Sequence, residues 1–79
     1  MSGKVIPLHQ LPLGSFARVV ELRLEGLPRR RMLDLGLVTD SVVEAVRRSP
    51  AGDPIAYYIR GALIALRREE SSQILVSPI

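Results

Sequence analysis

From Arg47 to Arg67 the chain reads RRSPAGDPIAYYIRGALIALR. Two apolar runs, IAYYI and ALIAL, stand on either side of Arg60-Gly61, and the turn-forming cluster SPAGDP precedes them. Short apolar runs bounded by turn residues predict strands, and their close spacing around a glycine predicts a tight hairpin. In the cluster, Pro50 restrains Ser49, Gly52 offers a positive φ, and Pro54 holds Asp53 extended. The alternative is a phosphate cradle. That device needs several glycines, a lysine and a following helix with free N–H groups. SPAGDP has one glycine, no lysine and a strand after it. It reads as a turn, and this part of the chain as β.

Working outward, SFARVVEL places Ala17 and Val19 on one face and Phe16, Arg18 and Val20 on the other. DSVVEAVRR places Val43 and Ala45 one way and Val42, Glu44 and Val46 the other. Both alternations, rich in β-branched residues, predict strands. Between them GLPRRRMLDLGL changes period and predicts a helix of about two turns. Pro28 suits its first turn, Gly36 stands where a C-cap takes positive φ, and Leu27, Met32 and Leu35 are expected to share the buried stripe. Leu8 and Leu11, at i, i+3, form one helical turn before Gly14. REESSQ closes another short turn, and Ile74 to Val76 forms the last strand before Pro78. Five short strands with sharp turns predict a mainly β fold: a small barrel, closed to hide its edges, with one or two short helices.

The composition fits that size of object. The 79 residues (1–79) read as a single domain. With 47% apolar residues the chain can fold, and with 4% aromatic residues its core is expected to be aliphatic. Val19, Met32, Leu35, Val43, Ile59, Ile64, Leu66 and Ile74 are the expected core. There is no cysteine, which excludes disulfides and thiolate metal sites and suits a reducing cytosol. MSGKVIPLHQLPLG lacks the continuous apolar segment of a signal peptide, and no apolar run is long enough to span a bilayer.

Chemistry-bearing residues are sparse. Ser15, Ser41, Ser49, Ser71 and Ser72 have no basic partner at a recognisable spacing, and Asp53 has no evident nucleophile beside it. His9, the one histidine, is the only candidate metal ligand; iron or adventitious zinc there lacks a ligand cluster, since zinc needs three or four donors. No enzyme, cofactor or small-molecule substrate is predicted. Charge says more. Eleven basic residues, all arginine except Lys4, face eight carboxylates for a net +3. Arg29, Arg30 and Arg31 sit on the short helix about 100° apart, and Arg47, Arg48, Arg67 and Arg68 come from strand ends. An acidic protein surface or nucleic acid could meet such charges. Single-stranded nucleic acid favours several exposed aromatics among the basic residues. Tyr57 and Tyr58 point to opposite faces and leave one at most, so nucleic acid is the less favoured partner.

Read together, Leu8, Leu11 and Gly14; Ala17 and Val19; Arg30, Arg31, Met32, Leu35 and Gly36; Pro50, Gly52, Asp53 and Pro54; and Arg60, Gly61, Ala65, Leu66 and Arg67 resemble the FeoA family in order and spacing. The likeness runs from Leu8 to Val76. It implies a cytoplasmic SH3-like β-barrel, an accessory protein of ferrous iron uptake acting by protein–protein contact on FeoB, a membrane transporter with a cytosolic GTPase domain. Similar domains form the C-terminal module of iron-dependent repressors. Two positions depart from the pattern. Thr39-Asp40 stands where Pro-Gly is usual, and Met32 where leucine is. The partner contact is expected at the helix end, at Arg30, Arg31 and Leu35 with Leu37 as a partly exposed apolar anchor; the alternative is that Leu37 packs inward as part of the cap.

Overall fold

A computed structural model describes residues 4–79. Strand β1 (Ile6–Pro7) leads into a single 3₁₀ turn (Leu8–Gln10), then β2 (Phe16–Leu22), helix α1 (Gly26–Asp34), β3 (Val42–Arg48), β4 (Ile55–Ile59), β5 (Ala62–Leu66), the short helix α2 (Arg68–Ser71) and β6 (Ile74–Pro78). The strands form one antiparallel sheet in the order β1-β6-β2-β3-β4-β5.

This corrects the expected closed barrel of five strands. Among the described residues there are six strands, and β1 and β5 are edges that do not pair with each other. β1 escapes a pattern reading because it is two residues long, with Ile6 opposite Val76 and Pro7 opposite Leu75. The last strand also runs on to Pro78, past the expected end at Val76. The sheet still curls: the Tyr57 hydroxyl on β4 donates to the Leu8 carbonyl at 3.4 Å, across 49 residues of sequence.

The core follows the alternation. Ala17 and Val19, Val43 and Ala45, Ile55, Tyr57 and Ile59, Leu66, and Ile74 and Val76 are buried together with Leu8, Leu11, Leu22, Leu24, Met32 and Leu37. β2 carries a bulge between Val19 and Glu21. The extra residue shifts the phase, so Val20 and Glu21 are both exposed and Leu22 turns back inward. Six of the eight expected core residues are buried; Leu35 and Ile64 are half-buried against the cluster. Ile64 lies on an edge strand, which leaves one flank open. The core is also not purely aliphatic, because Tyr57 is fully buried.

Helix α1 departs from the expected stripe. Met32 is its one buried residue, and Leu27 is 80% exposed. Five helical positions separate them, about 140° around the axis, so they cannot face the same way.

Candidate partner-binding surface

The end of α1 explains where its side chains go. Gly36 takes φ +102°. Leu37 N–H donates to the Met32 carbonyl and Gly36 N–H to the Leu33 carbonyl, each at 3.0 Å. Together these are the paired bonds of a Schellman cap, which normally carries an apolar contact between its two outer residues. Here those residues are Met32 and Leu37, and both are 0% exposed. Leu37 is therefore not an exposed anchor: the cap folds it into the core.

The arginines of α1 are unequal. Arg29 donates to the Leu22 carbonyl at 2.8 Å. Arg31 approaches the Glu70 carboxylate at 3.7 Å with its side chain 69% exposed, a contact that water largely screens. Arg30 has no partner among the described residues. Leu27, Arg30, Arg31 and Asp34 follow i, i+3, i+4, i+7 and share the outward face. The apolar residue beside Arg30 and Arg31 is thus Leu27, with half-buried Leu35 behind the cap. Counting the helical repeat from Met32 is the sequence signal that would have found it.

The loop Ser49–Pro54 is a turn that also serves a helix. Ser49 Oγ donates to the Asp53 carbonyl at 2.9 Å, and Gly52 N–H to the Ser49 carbonyl at 2.8 Å. The Asp53–Pro54 peptide is cis. Asp53 Oδ1 accepts the backbone N–H of Arg68 at 2.9 Å, where α2 begins. The carboxylate satisfies a helix-start donor that would otherwise lack a partner. Arg48, Ile55 and Leu66 are in register across three strands, which brings Arg47 and Arg48 to the same end of the sheet as Arg67 and Arg68.

His9 is half-buried, and its Nδ1 has no hydrogen-bond partner. Burial, and then the positive charge of Arg68, push its pKa below the ordinary histidine value. Among the described residues no three His, Cys, Asp or Glu side chains are grouped to hold a metal ion. Tyr57 and Tyr58 separate as expected: Tyr57 is buried and Tyr58 is 47% exposed. Burial raises the Tyr57 pKa above its usual value.

A family model described as the FeoA domain matches residues 6–78. The chain belongs to the FeoA family. A Porphyromonas gingivalis protein, an Fe(2+) transport protein A/Fe(2+) transporter FeoB fusion protein, is 33% identical over 72 residues. That match takes in 91% of this FeoA chain but 8% of the relative's length. FeoA of Chlorobium tepidum is 36% identical with a TM-score of 0.88, over 94% of this chain and 70% of that one. The FeoA of Stenotrophomonas maltophilia, a prokaryotic SH3 domain protein solved with zinc, is 29% identical with a TM-score of 0.76, over 96% of this chain and 88% of that one. The fold is thus SH3-like and the family one of ferrous iron transport. No helix among the described residues is long and apolar enough to cross a membrane.

Proposed function

We propose that this chain is a cytoplasmic accessory protein of ferrous iron uptake, a non-enzymatic module that docks onto a FeoB-type transporter through the outward face of α1. The observation that carries this is the fusion of both proteins in one chain in P. gingivalis. Covalent fusion keeps two modules at high effective concentration, which is useful when they work in contact. On this side of the contact stand Leu27, 80% exposed, and the arginines Arg30 and Arg31 beside it, with Leu35 at their edge. An exposed leucine flanked by arginines suits an acidic surface with an apolar hollow. Iron is the transporter's cargo, and this chain is assigned no resident metal. Nucleic acid fits the surface poorly. On the outer sheet face Phe16 and Tyr58 both register with Glu44, whose carboxylate stands between them and would repel phosphate.

The test is titration of the transporter's cytosolic region with this protein. Arg30→Glu combined with Arg31→Glu is expected to weaken binding about tenfold or more while melting stays unchanged. Leu27→Ser is expected to do likewise. A folded double variant that binds like the parent removes α1 from the contact.

A further inference from the structure

We infer that the open edge of β5 receives an extended, acid-flanked segment of a partner protein as an added strand. That the partner is a FeoB-type transporter rests on the function proposed above; the chemistry of the edge does not.

Ile59 and Ala62 flank the two-residue turn Arg60-Gly61, and Tyr57 pairs with Ile64 and Ile55 with Leu66. In such a hairpin these are the pairs that exchange both backbone bonds, so the N–H and C=O of Leu63 and Ala65 point away from the sheet. No backbone bond from elsewhere in the described chain reaches Leu63 or Ala65. Edges are commonly protected by brevity, proline, lysine or a bulge. The other edge has two of these protections: β1 is two residues long and contains Pro7. β5 is five residues, ALIAL, with none of the residue-type protections and no break in its register with β4. Leu63 is 50% exposed.

Charge selects the occupant. The strand itself carries none. Arg60 stands at one end and Arg67 and Arg68 at the other, with Arg47 and Arg48 farther in on β3. None of these five forms an ion pair among the described residues. Of the nearby carboxylates, Asp53 and Glu70 accept the backbone N–H groups of Arg68 and Arg67, and Glu69 is exposed. A second copy paired antiparallel about Ile64 would set Arg60 against Arg68, like charge on like. A partner strand with β-branched residues at its centre and carboxylates at both ends meets the free backbone groups and the arginines together.

The probe is a synthetic peptide, Glu-Glu-Val-Thr-Val-Thr-Val-Glu-Glu, added to the full chain while backbone amides are followed by NMR. The Leu63 and Ala65 amides are expected to shift and gain exchange protection, and the same peptide with lysine ends is expected to leave them unmoved. Ala65→Pro removes an outward N–H without touching the β4 ladder. It is expected to weaken the peptide about tenfold or more, and Ala65→Lys carries the same test if the proline variant misfolds. No β5 shift at millimolar peptide overturns the inference. Self-association lost in Ala65→Pro also overturns it, since the occupant is then a second copy. If the peptide binds β5 and the transporter region does not bind FeoA, the edge stands and the proposed function falls. If the transporter region binds parent and edge variant equally, the function stands and the assignment of the β5 edge to that transporter falls.

Discussion

Asp40 turns the chain at φ +75°, a region in which a Cβ is crowded. Its N–H donates to the Val19 carbonyl at 2.8 Å, so the turn is tied to β2 and does not relax. Asp40→Gly removes the crowding and is expected to raise stability by up to about 1 kcal/mol, partly offset by a freer unfolded chain. Asp40→Val is expected to lower it by about 1–2 kcal/mol. Urea denaturation of the two variants checks both signs. His9 makes a prediction about pH. Its folded pKa lies below the unfolded value of about 6.5, so below that pH the unfolded chain binds more protons and stability falls as pH falls. His9→Gln is expected to flatten the loss of melting temperature between pH 7 and pH 5. An equally steep profile in the variant would place the titration elsewhere.

Helix α1 buries one side chain of its own, Met32, and ends in a cap that buries Leu37. Met32→Ala is expected to cost about 2–5 kcal/mol through lost burial and a cavity, whereas Leu27→Ala, on the open face, is expected to stay within about 0.5 kcal/mol. Thermal melting separates the two, and equal losses would mean that α1 packs by another face. The same helix shows what a sequence can and cannot disclose. β2, β3 and β4 were readable because one face of each is buried, which stamps every second residue. The glycine at 36 was readable because a positive φ demands it. Leu27 lies off the Met32 stripe by the helical repeat itself, and of the two readings open for Leu37 the inward one holds, a choice that depends on what the helix lies upon. β1 was invisible: two residues carry no period. The loop before β4 was recognisable as a turn, but Asp53 as the cap of α2 depends on a contact between residues 15 apart in sequence.

The molecule's stability rests on a small core closed by curling. Leu66 ends β5 at 1% exposure and belongs to the cluster that includes Met32, Ile74 and Val76. Leu66→Ala is expected to cost about 2–5 kcal/mol. A domain of this length holds only about 5–10 kcal/mol in total, so the variant is expected to melt far lower or to be largely unfolded at room temperature. A melting point within a few degrees of the parent would contradict the register of β5. The surface, by contrast, was only partly predictable. Arginine is abundant in the sequence, but which arginines are occupied depends on neighbours brought in from other elements. Leu22 and Glu70 engage Arg29 and Arg31, and Arg30 has no partner among the described residues.

The pairing of β1 with β6 places the start and finish of the described chain side by side at one margin of the sheet, with Ile6 against Val76. β5 lies at the other margin, four strands beyond β6 in the sheet order. A longer polypeptide can therefore be spliced onto this module through a single doorway, entering and leaving on adjacent strands without rerouting the sheet. Whatever is attached there joins the sheet at β1 and β6 and not at β5. The module can be tethered through that one pair of strands and leave the backbone edge of β5 unpaired, an arrangement equally open to a free-standing protein and to one built into a larger chain.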